Sequence, residues 1–185
     1  MKRNLWNTWV VLHWLMALFV IATFAIGLSS LNSISDPSQK RIPLQVHIIL
    51  GVVILCVTIF RYVLRVLVYK KPLLWKKEFM HTRKQQFILE QFDKYVHPLL
   101  YVLTTIMAIL GVAIAMPAQL AGILFSQPPG QIPQNFYIYP ARVWHGMFST
   151  LLLILIFQHI LVAVFHVFIK KDGYLKRMWF TGGRE

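Results

Sequence analysis

Acidic residues and cysteine are scarce in this chain. Only 6 Asp and Glu stand against 19 Lys and Arg, and charged residues of all kinds make up 14% of the 185 positions. Carboxylate-rich metal cages therefore have little to draw on. A soluble domain of this length would carry about a quarter charged residues. The single cysteine, Cys56, excludes an intrachain disulfide framework, a cysteine-rich zinc site, a cysteine-ligated iron–sulfur cluster and any C-x-x-C-H covalent attachment. It is expected mid-span, packing as a small apolar residue. What is abundant is apolar surface, 57% of residues, together with a formal charge of +13. A nucleic-acid partner needs its bases on a water-exposed face, so none is expected. The mixture suits a membrane protein whose charges are confined to the ends of its spans.

The charge positions divide the chain. None occurs in 4–35, 42–60, 95–141 or 143–169. Each window holds an apolar stretch near the ~20 residues that a membrane helix needs. The third window is too long for one span, and Pro117 with the polar run Ser126–Pro133 breaks it. An all-α, integral membrane four-helix bundle follows, with spans at about 6–28, 44–67, 95–116 and 143–169. It is expected to be a single membrane domain over residues 1–185, with no internal repeat. The first apolar run exceeds a usual signal-peptide core and ends in no clear small-x-small site, so a retained helix is expected. Basic residues number 16 in the N-terminus, the stretch 61–94 and the tail from Lys170, against 3 elsewhere: Lys40, Arg41 and Arg142. Both termini are thus expected on the cytoplasmic side of a bacterial inner membrane. Trp6, Trp9, Trp75, Tyr69, Tyr137 and Tyr139 fall near interfaces, as aromatic belts do.

Histidines inside membrane spans are rare and mark function. His13, His47, His97, His145, His159 and His166 lie in or at the edges of spans, while His81 reads as a solvated loop residue. His13 is ten residues past Arg3 and His159 eleven before Lys170, depths of about 15 and 16 Å from the inner charges. These two share one level. His47 and His145 follow Arg41 and Arg142 closely and share an outer level. His145 and His159 are 14 residues apart, about 21 Å along nearly one helix face. A helix built so can give one axial ligand to each of two stacked haems, with His13 completing the inner site and His47 the outer. Neutral imidazole is a normal haem-iron ligand. Without cysteine the groups would be two non-covalent haem b. Zinc binding or a proton pathway is the alternative, but zinc more naturally gathers three or four ligands at one point and recruits carboxylates. Arg61 lies 14 residues after His47, at the inner level, where it could pair with a propionate. Arg65 reads equally as an anchor. Gly51 and Gly146, next to the outer pair, would let a flat macrocycle approach the backbone, as ordinary helix packing also would.

These residues resemble the prokaryotic di-haem cytochrome b561 proteins. The shared features are His13-Trp14, His47 with Gly51, Arg61 and Arg65, then His97, Tyr101 and Gly111, and finally His145, His159 and His166 followed by Lys171-Asp172 and Arg177-Met178. The resemblance runs from His13 to about Met178. It implies the same pairing, His13 with His159 and His47 with His145. One departure stands out: relatives often carry an acid where this chain has Gly146. The segment 117–142 is also individual.

Two histidines per iron leave no open coordination position, so the haems would carry electrons across the bilayer. A quinone is the lipid-soluble partner for the inner end. His166 and His97, beside Lys170 and Lys94, could hydrogen-bond its carbonyls, with Tyr101 assisting. At the outer end the resemblance implies either a superoxide:quinone oxidoreductase, with Lys40, Arg41 and Arg142 attracting the anion, or a cytochrome b subunit docked to a partner dehydrogenase or reductase. A non-redox channel or structural bundle is the reading from another class. A reduced-minus-oxidised spectrum separates it from the others.

Overall fold

A computed structural model describes residues 2–31, 36–68, 84–128 and 130–171, with side chains for 7–31, 36–66, 95–128 and 130–171. His81, Tyr69, Trp75, Asp172 and Arg177-Met178, and the side chains of Lys2, Arg3, Trp6 and Lys94, lie outside the described residues. The chain is all-helical, with no strand among the described residues.

The helices are α1 (Lys2–Ala25), α2 (Arg41–Val63), α3 (Lys84–Ala115), α4 (Leu120–Phe125) and α5 (Pro140–Phe165). Wider π-helical turns continue α1 over Ile26–Leu31, α2 over Leu64–Val68 and α5 over His166–Lys170. Among the described residues four segments are long and apolar enough to cross a membrane: Asn7–Leu31, Arg41–Val66, Tyr95–Ala115 and Pro140–Lys170. They coincide with the four expected spans to within three residues at each end. Pro140 opens α5 at a position where its missing N–H costs nothing. The surface along the spans is apolar, with Leu18, Ile21, Ile109 and Phe157 all more than half exposed, as contact with lipid acyl chains requires. Hydroxyls inside the spans bond back to the preceding turn: Thr58 to the Ile54 carbonyl and Thr104 to that of Leu100, both at 2.7 Å. That keeps polar hydrogens satisfied where water is excluded.

Packing around the bundle is uneven. α1 packs closely on α2, α2 on α3, and α3 on α5. Val96, Leu103, Leu152 and Leu155 form the buried seam between α3 and α5. α1 and α2 approach α5 much less closely, and histidine side chains span that separation. "Inner" and "outer" below name the two ends as the charge bias assigns them.

At the outer end α4 is a short helix with no counterpart in the expected layout. Leu120 and Leu124 bury it against Leu44, Ala118 and Ile132. Its open carbonyls are taken by α2: Arg41 Nη1 donates to Ile123 O at 2.8 Å and Gln45 Nε2 to Leu124 O at 2.8 Å. Arg41 Nη2 also donates to Gly130 O. Arg41 therefore spends its hydrogens on holding the outer segment. Hydrogen bonds from a charged donor contribute about 1.5–3 kcal/mol. Arg41→Ala is expected to loosen 120–132, read as faster amide exchange there with the four spans still protected. Nearby, Asp36 accepts from Ser38 N at 2.9 Å and Ser38 Oγ at 2.8 Å, which holds its carboxyl below the usual range.

Candidate functional site

The two histidines of each pair come from different helices, and α5 contributes to both pairs. The ring centroids of His13 and His159 are 6.2 Å apart, and those of His47 and His145 are 6.3 Å apart. Two imidazoles on opposite sides of one metal, at about 2 Å per bond with each centroid about 1 Å further back, stand roughly 6 Å apart. Both pairs have that separation. Both also lie across the wide side of the bundle, between α1 or α2 and α5. Among the described residues no three His, Cys, Asp or Glu side chains group to hold a bare metal ion. Each pair would offer two imidazoles to a metal held between them.

The outer pair is shaped by glycine. A Cβ on Gly27 would lie 3.4 Å from His47 Cε1, and one on Gly111 would lie 3.8 Å from His145 Cε1. Larger side chains would push the rings out of alignment. Gly51 faces open space, with nothing within 4 Å of a built Cβ, as a large planar group beside His47 requires. His47 Nδ1 and His145 Nδ1 are buried without a hydrogen-bond partner. The backbone carbonyls of Thr23 and Met107 lie beside the His47 and His145 rings respectively and are the nearest acceptors for them. Gly27→Ala should be tolerated as ordinary contact. Gly27→Val should reduce the haem bound at the outer pair while sparing the inner, measured as haem per chain by pyridine haemochrome. The role of Gly27 has no signal in the sequence beyond its being a glycine in a span.

The inner pair sits in a polar cluster. Arg61 is only 6% exposed. Its Nε donates to Tyr101 Oη at 3.2 Å and its guanidinium lies 4.7 Å from the Trp9 ring centroid. Arg61 Nη1 is buried with no partner, and the charge acts electrostatically on His13. A buried, unpartnered guanidinium N–H beside a haem-sized separation fits a propionate. Trp9, expected in an interfacial belt, packs its ring on Arg61. Arg65 is half-buried in the turn that continues α2.

His97, expected beside the inner haem, lies against one of that level's paired histidines. Its ring centroid is 5.0 Å from that of His159, edge to face. The expectation took the last charge before each span as one common level. α3, however, runs unbroken from Lys84 through Lys94, so its charges do not mark where the bundle ends. His166 is buried, at 7% exposure, with its ring edge-on to Phe165. Tyr101 is tied to Arg61 as above.

At the outer end Arg142 lies over the Tyr137 ring at 5.1 Å. A Cβ on Gly146 would stand 3.3 Å from Arg142 Nη1, so the absence of a side chain there leaves room for the guanidinium. Arg142 acts electrostatically on both His47 and His145. An apolar cavity of about 310 Å³ also opens at this end, lined by Ile48, Val112, Gln119, Leu120 and Phe125 among others. It lies at the opposite end of the bundle from His97, Tyr101 and His166.

Comparison with curated proteins and with solved structures finds no match. The family model described as prokaryotic cytochrome b561 matches residues 6–181. The chain therefore belongs to the prokaryotic cytochrome b561 family, b-type cytochromes that bind haem b and transfer electrons in the membrane.

Proposed function

We propose that this cytochrome holds two haem b, one between His13 and His159 and one between His47 and His145, and moves electrons between an outer-side donor and quinone at the inner end. The observation that carries this is the pair of matched ring separations, 6.2 and 6.3 Å, on one shared helix. Bound haem supplies a one-electron couple at each level. The chain's residues do the rest. The four imidazoles would hold the two irons and would leave no position for oxygen to bind. Arg61 balances negative charge at the inner level. His166, with His97 and Tyr101, offers hydrogen bonds and a proton route to quinone carbonyls. The inner end faces the cytoplasm on the charge bias.

The outer donor that fits best is superoxide. Arg142 is the basic side chain set beside the outer histidines, and Lys40 and Arg41 add positive field. Each superoxide gives up one electron and becomes dioxygen. Two such electrons and two protons convert one quinone to quinol. Exposed Tyr137 and Ile138, at 66% and 65%, favour a second reading, in which the outer segment docks a partner oxidoreductase. Purified protein alone is expected to show superoxide-dependent quinone reduction, abolished by His166→Leu without change in haem spectra. Activity only after adding a partner dehydrogenase or reductase would establish the docking reading instead.

A further inference from the structure

His97 gives the inner site a third histidine that axial ligation does not use. Its separation from His159 differs in kind from that of His13. Two imidazoles joined through an N–H to nitrogen hydrogen bond of about 2.9 Å, each centroid about 1 Å behind its nitrogen, stand roughly 5 Å apart. Two imidazoles across one metal stand roughly 6 Å apart. His97 lies at 5.0 Å from His159, whereas His13 lies at 6.2 Å. The two neighbours also come from different directions in the bundle. His97 is carried by α3, packed directly on α5, while His13 is carried by α1, which stands off from α5. The ring of His159 thus has a neighbour edge-to-face at 5.0 Å on its packed side, close enough for a nitrogen–nitrogen hydrogen bond, and one at 6.2 Å on its open side, the separation of two imidazoles across a metal.

An imidazole that binds iron through one nitrogen is oriented, and made more or less basic, by what its other nitrogen donates to. We propose that His97 is a positioning residue for the inner haem ligand: it accepts the N–H that His159 does not use in ligation. This rests on the assignment of His13 and His159 to one haem. The bond fixes the plane of the His159 ring and strengthens its donation to iron. A stronger donor favours the ferric state, so His97 holds the inner haem at a lower midpoint potential than it would otherwise have. The outer histidines have backbone carbonyls beside them, of Thr23 for His47 and Met107 for His145, rather than a third imidazole.

The test uses the full-length chain in nanodiscs, titrated electrochemically, with electron paramagnetic resonance of the ferric haems. His97→Leu removes the acceptor and His97→Gln restores one. In His97→Leu the inner potential should rise and the inner ferric signal should shift, with the outer haem unmoved. His97→Gln should return both towards the wild-type values. An inner haem unmoved in His97→Leu, or moved equally in both variants, overturns the proposal while leaving the two-haem assignment standing. Retention of both haems in His13→Ala and His159→Ala overturns that assignment, and this inference with it. Should His97→Leu fail to assemble, the wild-type ferrous protein decides. Its low-spin iron is diamagnetic, and a nitrogen–nitrogen coupling between His97 and His159 across the hydrogen bond should be visible by ¹⁵N NMR. Its absence overturns the proposal.

Discussion

Replacing His13 or His159 with alanine is expected to remove one haem from the protein and leave the other. Replacing His47 or His145 should remove the second and leave the first. Haem content should fall by about half in each single variant, because a b-type group has no thioether bond to hold it when an axial ligand is lost. The double variant His13→Ala/His159→Ala should bind no less haem than either single one, since residues that act as one unit do not add. Combining His13→Ala with His47→Ala should instead abolish haem binding. The expectation follows from the packing. α5 carries His145 and His159 about 21 Å apart along its axis, and across the open side of the bundle each has one histidine at a metal-bridging separation. If His13→Ala and His145→Ala shared a spectral phenotype, the pairing would be wrong. If all four variants kept full haem content, the sites would be wrong.

Much of this was legible because a bilayer imposes two simple rules on sequence. Charges must leave the apolar core, so charge-free windows mark spans, and all four expected spans are present. A helix rises by a fixed amount per residue, so counting from charged edges brings His13 level with His159 and His47 level with His145. Counting from Lys94 does not by itself bring His97 against His159. Lys94 belongs to a helix that continues beyond the span to Lys84, and a lysine at such a point does not mark the plane of the membrane. α4 was not legible either. Six residues, Leu120–Phe125, are too few to show a helical period. What makes them a helix is burial of Leu120 and Leu124, with Arg41 and Gln45 capping from a distant part of the chain. Arg41 illustrates the limit for function as well. By sequence it is one of three outer bases able to attract an anion. In the fold its N–H groups are committed to Ile123 and Gly130 carbonyls, which leaves Arg142 as the base acting on the histidine pair.

Arg61→Gln is expected to lower the midpoint potential of the inner haem by about 90 mV and to leave the outer one in place. Arg61 is buried, bonded to Tyr101 and stacked near Trp9, with one N–H unpartnered. A positive charge held there favours the electron on the haem, and the favour survives because water does not screen it. One unit charge at roughly 8 Å and an effective dielectric constant of about 20 contributes about 2 kcal/mol, equivalent to about 90 mV for a one-electron couple. Glutamine keeps the hydrogen-bonding capacity and much of the length but removes the charge, so the shift isolates the electrostatic part. Arg61→Lys should recover most of the potential, since the charge returns, but not the ring stacking on Trp9. The outer haem, about 21 Å further along the bundle, should move little. Equal shifts of both haems in Arg61→Gln would mean a general loosening of the bundle. An unmoved inner haem would mean that Arg61 is an anchor at the membrane edge and takes no part in holding the haem.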